Sequence, residues 1–213
     1  MFVSKELLKC DHITHTFGGK NTSLPVGAVT LKQVHSNLVI EVDKPLEKDQ
    51  ILEADGLITA TREFTIAIKT ADCVPILLAH KSEKIIAALH AGWRSSYLGI
   101  VKNCLESFKN KGYLAKDFIV AVGPCIQQPS FEVSQDVFDL FKAPEFFTKK
   151  EKGKYLLNLS GYLKNQLHTL GVETVESLQN DTYVEEENFF SYRRSFHKNV
   201  PLEGHQWSFI KIL

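Results

Sequence analysis

Apolar residues concentrate in two short runs in the middle of the chain, Val74 to Ala79 and Ile85 to Leu89, with the polar break Lys81-Ser82-Glu83 between them. Runs of this length beside a turn read as the two strands of a hairpin. With the turn centred between Lys81 and Ser82, Cys73 lies directly opposite His90, and facing residues of an antiparallel pair have Cβ atoms about 4.5–5.5 Å apart. A slip of one residue would put the two side chains on opposite faces. The β-branched stretch within residues 26–42 reads as strand, as do 56–60 and 64–68. A helix is expected from Ser95 or Ser96 to about Lys109. Its apolar positions Tyr97, Ile100, Val101, Cys104, Leu105 and Phe108 recur at helical spacing, and Lys111-Gly112 ends it. Residues 118–122 form a strand punctuated by Gly123-Pro124. Residues 136–142 and 160–170 read as helices, 188–192 and 207–213 as strands, and 143–154 as a surface excursion. Strands follow strands without regular helical crossovers, which favours an α+β fold over a doubly wound sheet.

Composition narrows the class. The 213 residues, 44% hydrophobic, suit one domain over 1–213 with a substantial core. Lysine plus arginine equals aspartate plus glutamate at 25 each, so net charge gives no reason to expect a nucleic-acid or membrane partner. No stretch approaches the ~20 apolar residues of a membrane helix, and the charged first residues do not resemble a signal peptide. A cytoplasmic protein is expected. In that compartment the scattered Cys10, Cys73, Cys104 and Cys125 suggest metal or catalytic use rather than a disulfide framework.

Candidate chemistry gathers at the hairpin. Gln33 and His35 share a strand face by period two. His35, Cys73 and His90 together offer a thiolate, two imidazoles and an open position, a catalytic zinc pattern. The same residues are equally a buried cysteine with two hydrogen-bonded histidines, because their long spacings form no compact ligand motif. Without metal, Cys73 would be a nucleophile and His90 its base, oriented by Asp72 or Gln33. Asp72 also reads as a general base, a support for a ligand histidine, or a turn residue. Arg94, just before the expected helix start, is a candidate anion site or a surface arginine. Arg193 and Arg194 offer a second anion clamp. Phe17-Gly18-Gly19 would let backbone approach a ligand.

Taken together, several segments resemble the YfiH-type laccase-domain family, also called the multicopper polyphenol oxidase or purine nucleoside phosphorylase family. They are Lys32-Gln-Val-His35-Ser, Ala54-Asp55-Gly, Thr70-Ala-Asp72-Cys73-Val-Pro, His90-Ala-Gly-Trp-Arg94, Gly123-Pro-Cys125-Ile, Ser130-Phe-Glu-Val and Phe189-Phe-Ser-Tyr-Arg193-Arg. They run in family order across nearly the whole chain. The resemblance implies an α+β, CNF/YfiH-like cysteine-hydrolase-type fold of mixed sheets flanked by helices. It implies Zn2+ held by His35, Cys73 and His90, with copper as the older alternative. It also implies purine nucleosides and phosphate as substrates: cleavage of adenosine, inosine, guanosine and methylthioadenosine, with adenosine deamination in some members and a link to peptidoglycan precursor editing in bacteria. The chain departs from the family at Thr16-Phe17 before the Gly-Gly loop, at Asp181-Thr182-Tyr183, and at Gly204-His205, where the family has Gly-Arg.

On that resemblance Arg94, with Arg193 or Arg194, would hold the attacking phosphate, and zinc would stabilise the departing base. Asp72 would transfer protons in deamination. Gln33 is expected at the substrate, and Phe17, Tyr97 or Phe131 is expected to stack on the base. Three further readings remain open: a Cys73-dependent hydrolase acting on peptidoglycan precursors, a copper polyphenol oxidase, and a non-enzymatic binding role. The second is chemically weaker, because eight histidines with no His-X-His pair do not build several copper sites.

Overall fold

The computed structural model describes residues 1–47 and 51–213. Among these residues twelve strands alternate irregularly with five α-helices. The strands are β1 (Ile13–Phe17), β2 (Val39–Glu41), β3 (Gly56–Thr59), β4 (Thr65–Thr70), β5 (Val74–His80), β6 (Ile86–Ala91), β7 (Phe118–Val122), β8 (Glu132–Ser134), β9 (Phe147–Lys149), β10 (Lys154–Leu157), β11 (Thr174–Ser177) and β12 (Gln206–Ile212). The helices are α1 (Trp93–Tyr97), α2 (Ile100–Asn110), α3 (Gln135–Leu140), α4 (Leu159–Thr169) and α5 (Tyr192–Lys198). A six-stranded mixed sheet in the order β11-β7-β5-β6-β3-β2 is backed by a three-stranded sheet β1-β12-β4, and β8-β10-β9 form a third. This is the expected α+β architecture.

The central hairpin explains the layering. Side chains alternate across a strand. Val74, Ile76 and Leu78 of β5, with Leu89 and Ala91 of β6, therefore join the core beneath α2 and α4, together with Cys104, Phe108, Leu163 and Leu167. Leu77, Ala79, Ile86 and Ala88 point the other way and meet Ile66, Ile68, Ile210 and Ile212 of the backing sheet. A sheet covered on both faces needs continuous apolar strands. That is why β5 and β6 appear in the sequence as unbroken runs.

The hairpin register differs from expectation. Pro75, not Cys73, faces His90, and the pairing continues as Ile76↔Leu89 and Leu77↔Ala88. The connection is five residues, 81–85, with His80 N–H donating to the Ile85 carbonyl at 3.1 Å and Glu83 N–H to the His80 carbonyl at 2.7 Å. Glu83 takes the left-handed conformation, at φ 56°. The turn therefore centres one residue later than expected. Cys73 moves two positions along the strand from the partner of His90, a shift that keeps both on one face.

Three further expectations are corrected. The single helix from Ser95 is two helices, α1 and α2, separated at Gly99, whose φ of 88° is incompatible with a continuing helix. Of the expected strand over 26–42 only β2 forms, with single bridges at Val29 and Lys32. The strand over 188–192 does not form: Ser191 instead caps α5 by accepting from Arg194 N–H at 3.1 Å. The excursion at 143–154 carries β9 and the first residue of β10.

Candidate metal centre

His90 lies near the end of β6, Cys73 just before β5, and His35 in the loop leading to β2. One donor atom from each lies within 4.8 Å of the other two. The Cys73 Sγ to His35 Nε2 separation is 3.9 Å, and the two imidazole rings cross edge to face with centroids 4.9 Å apart. Among the described residues this is the one cluster of three or more such side chains that could hold a metal ion. His90 is buried, Cys73 half-buried and His35 exposed, so the cluster opens on one side.

Asp55, at the head of β3, organises the cluster. Its Oδ1 accepts from His90 Nδ1 at 2.7 Å, and its main-chain carbonyl accepts the His90 N–H at 2.7 Å. The same carboxylate accepts the N–H groups of Val34, His35 and Ser36 at 3.2, 3.0 and 2.6 Å and the Ser36 hydroxyl at 2.8 Å. These amides find their acceptors in a carboxylate rather than in a neighbouring strand. This is why 33–38 is a loop and why His35 is held in the left-handed region at φ 59°. Burial favours the neutral acid, but hydrogen bonds from His90 and Ser36 outweigh it and hold Asp55 below the usual carboxylate range. An ionised carboxylate only accepts, so His90 donates from Nδ1 and leaves Nε2 for the cluster.

The donor set fits a metal ion. Two imidazole nitrogens and a thiolate around zinc span edges of about 3.3–3.8 Å, within a small contraction of the observed cluster. Gly92 makes room for it. A Cβ there would lie 3.0 Å from Cys73 Sγ and 3.1 Å from His35 Cδ2. Burial opposes ionisation of both Cys73 and His90. Their mutual attraction nevertheless lowers the thiol to about 6, helped by His35, and raises the imidazole to about 9, helped by Asp55. The cysteine is thus prepared to act as a thiolate, the form that binds metals.

The other expected residues are placed differently. Asp72 adjoins Cys73 in sequence, yet its carboxylate points into a tie with the C-terminal segment. It accepts from Thr182 Oγ1 at 2.7 Å, Ser191 Oγ at 3.0 Å and Arg193 N–H at 2.7 Å. Those contacts occupy both oxygens of the residue expected to transfer protons. Phe17, expected at the substrate, is fully buried, and its ring fills the space above Gly123, where a Cβ would lie 2.2 Å away. It is a core residue. Gln33 spends its amide on β4, accepting from Lys69 N–H at 2.8 Å and donating to the Lys69 carbonyl at 2.7 Å. Arg194 is buried and donates to the carbonyls of Thr182, Tyr183 and Phe189, which leaves it no role as an anion clamp. Arg193 donates to the Glu132 carbonyl at 2.8 Å and lies 5.6 Å from the centroid of the Phe131 ring. Arg94 is exposed, with its guanidinium 4.9 Å from the centroid of Trp93. Cys104 and Cys125 are buried, and burial pushes both thiols far up.

Asp55 is the residue that spacing did not assign. Its sequence signal is an acid at the head of an otherwise apolar strand, and a buried acid requires partners.

The sequence pattern of the multi-copper polyphenol oxidoreductase laccase family matches residues 18–213. A Rickettsia prowazekii protein named purine nucleoside phosphorylase is 34% identical over 177 residues, covering 80% of this chain and 72% of its own length. A Haemophilus influenzae protein of the same name is 35% identical, covering 80% and 70%. Among solved structures, a Neisseria meningitidis protein of family DUF152 superposes with a TM-score of 0.78 at 30% identity, over 87% of this chain and 74% of that one. A Bacillus licheniformis YfiH protein superposes with a TM-score of 0.81 at 25% identity, over 88% and 74%.

Proposed function

The chain belongs to the multi-copper polyphenol oxidoreductase laccase family, and from that membership and the site geometry we propose that it is a zinc-dependent purine nucleoside phosphorylase. The observation that carries this reading is the open His35–Cys73–His90 cluster braced by Asp55, in a chain whose relatives bear the phosphorylase name. Copper oxidation of phenols by a multicopper mechanism requires several metal sites. One three-residue cluster among the described residues does not supply them.

In this reading His35, Cys73 and His90 hold the ion, which when bound supplies Lewis-acid polarisation at the open side of the cluster. Asp55 fixes the His90 ring and the His35 loop. The exposed Arg94 guanidinium binds phosphate, which attacks the sugar carbon as the purine leaves. The substrates are adenosine, inosine, guanosine and methylthioadenosine. Deamination of adenosine needs a carboxylate free to move a proton. Both Asp72 oxygens are engaged, so phosphorolysis is the favoured reaction.

Metal-loaded protein incubated with adenosine tests this. Adenine and ribose 1-phosphate, formed only when phosphate is present, are the expected products. No turnover of adenosine, inosine or methylthioadenosine would refute it.

One observation favours a second reading. Asp55, His90 and Cys73 form a chain of acid, base and thiol, the arrangement of a cysteine hydrolase. A peptidoglycan precursor would be its substrate, and its activity would survive metal removal and end on alkylation.

A further inference from the structure

The loop that presents His35 is gripped twice. Asp55 holds the N–H groups of residues 34–36. The second grip is made of amides. Asn37 donates from Nδ2 to the Leu98 carbonyl at 2.8 Å, and Asn103 donates from Nδ2 to the Asn37 carbonyl at 3.0 Å. Leu98 ends α1, where its own N–H bonds the Arg94 carbonyl at 3.0 Å. Asn103 lies in the first turn of α2, and its main-chain N–H bonds the Gly99 carbonyl at 3.0 Å. The amides therefore close on the elbow between the two helices, which turns at Gly99. The other end of α1 meets the same loop. Gly92, its N-cap, lies against the His35 ring, where a Cβ would come within 3.1 Å of Cδ2. A helix of five residues is thus bracketed at its two ends by residues 35 and 37.

Local structure does not account for these amides. Asparagine is a poor helix former. Asn103 nevertheless stands inside α2, between buried Val101 and Cys104, and turns its amide to a loop 66 residues away in the chain. That loop needs restraint. His35 keeps a left-handed backbone at φ 59°, a conformation that a residue other than glycine holds when its surroundings over-determine it. The strand that follows, β2, has three residues and lies at the edge of its sheet, so it restrains the loop little.

We propose that Asn37 and Asn103 are positioning residues of the metal centre: their amide clasp fixes the gap between the His35 loop and α1, and with it the reach of His35 toward Cys73 and His90. This role rests on the cluster being a metal centre and holds whichever reaction the centre serves.

Zinc affinity, read by competition with a chelator of known affinity, is measured beside a denaturant melt of the metal-free protein. Asn103→Asp keeps the side-chain size and suits the first turn of a helix, but it sets an acceptor against the Asn37 carbonyl. Asn37→Ala removes the bond to Leu98 at a less buried position. Each variant should weaken zinc binding about three- to tenfold, the worth of one hydrogen bond, and shift the visible ligand-field bands of the cobalt(II)-substituted protein. A clasp that merely held the helices together would lower the melt and leave both metal readouts unchanged. Wild-type zinc affinity in both variants and in the Asn37→Ala/Asn103→Asp double variant therefore overturns the positioning role, whatever happens to the melt. A wild-type protein that binds no zinc overturns the metal reading itself, and the role of the clasp with it.

Discussion

Asp55 Oδ1 lies 2.7 Å from His90 Nδ1, and the same carboxylate gathers the backbone of the loop that presents His35. Asp55→Asn would put an amide N–H group against one of these donors. Loss of such a support to a ligand histidine weakens metal binding about 10–100-fold. Competition with a chelator of known affinity reads the effect, and unchanged zinc affinity would remove Asp55 from the site.

Gly92 has an ordinary φ of −69°, so alanine is acceptable to the backbone there. Its methyl would nonetheless lie 3.0 Å from Cys73 Sγ and 3.1 Å from His35 Cδ2. Gly92→Ala should therefore lose stoichiometric zinc while melting cooperatively, with a stability change of about 1 kcal/mol from the altered helix cap. Zinc content and a thermal melt separate the two effects.

Metal-free Cys73 should react as a thiolate at unusually low pH. Its thiol is lowered to about 6, against about 8.5 for a free cysteine. Alkylation by iodoacetamide should rise through pH 6 and level off above it, and zinc should suppress it. A rate still climbing between pH 8 and 9 would contradict the thiolate assignment.

Asp72→Ala leaves Thr182, Ser191 and the Arg193 N–H without their acceptor, a loss of about 3 kcal/mol or more. Burial raises the Asp72 pKa above its unfolded value. Between those two values the folded state binds the extra proton, so this group's contribution to stability falls as pH rises. Denaturant melts of wild type and Asp72→Asn across that acidic window check the sign: the variant should lack that component.

Arg94→Ala should raise KM for phosphate about tenfold, the worth of one charge-assisted hydrogen bond, and leave KM for adenosine nearly unchanged. Equal loss in both constants would assign Arg94 to local structure through its contact with Trp93.

Legibility followed burial. β5, β6 and β7 are covered on both faces and stand out as apolar runs, and the apolar face of α2 repeats at helical spacing. The loop at 33–38 is not legible in the sequence, because Val34 and its β-branched neighbours suggest a ladder, whereas their amides bond to a carboxylate some twenty residues away. Ser191 and its neighbours failed for a similar reason: aromatic residues suggested strand, but a serine cap decided for helix. The metal residues were legible from type and from motifs that resemble a family. Phe17 was not, because an aromatic beside two glycines is equally a ligand platform and a core plug. Only the packing of its ring above Gly123 distinguishes them.

One carboxylate bracing two ligands has a consequence for how the centre fails. Burial opposes the Asp55 charge, but its hydrogen bonds hold its pKa down, so the stabilisation it provides is intact above the ordinary carboxylate range and lost as pH falls through its depressed value. A single proton then releases the His90 ring and the His35 loop together. Removing this one carboxylate would therefore loosen both histidine ligands at once, whereas losing either histidine would leave the other braced.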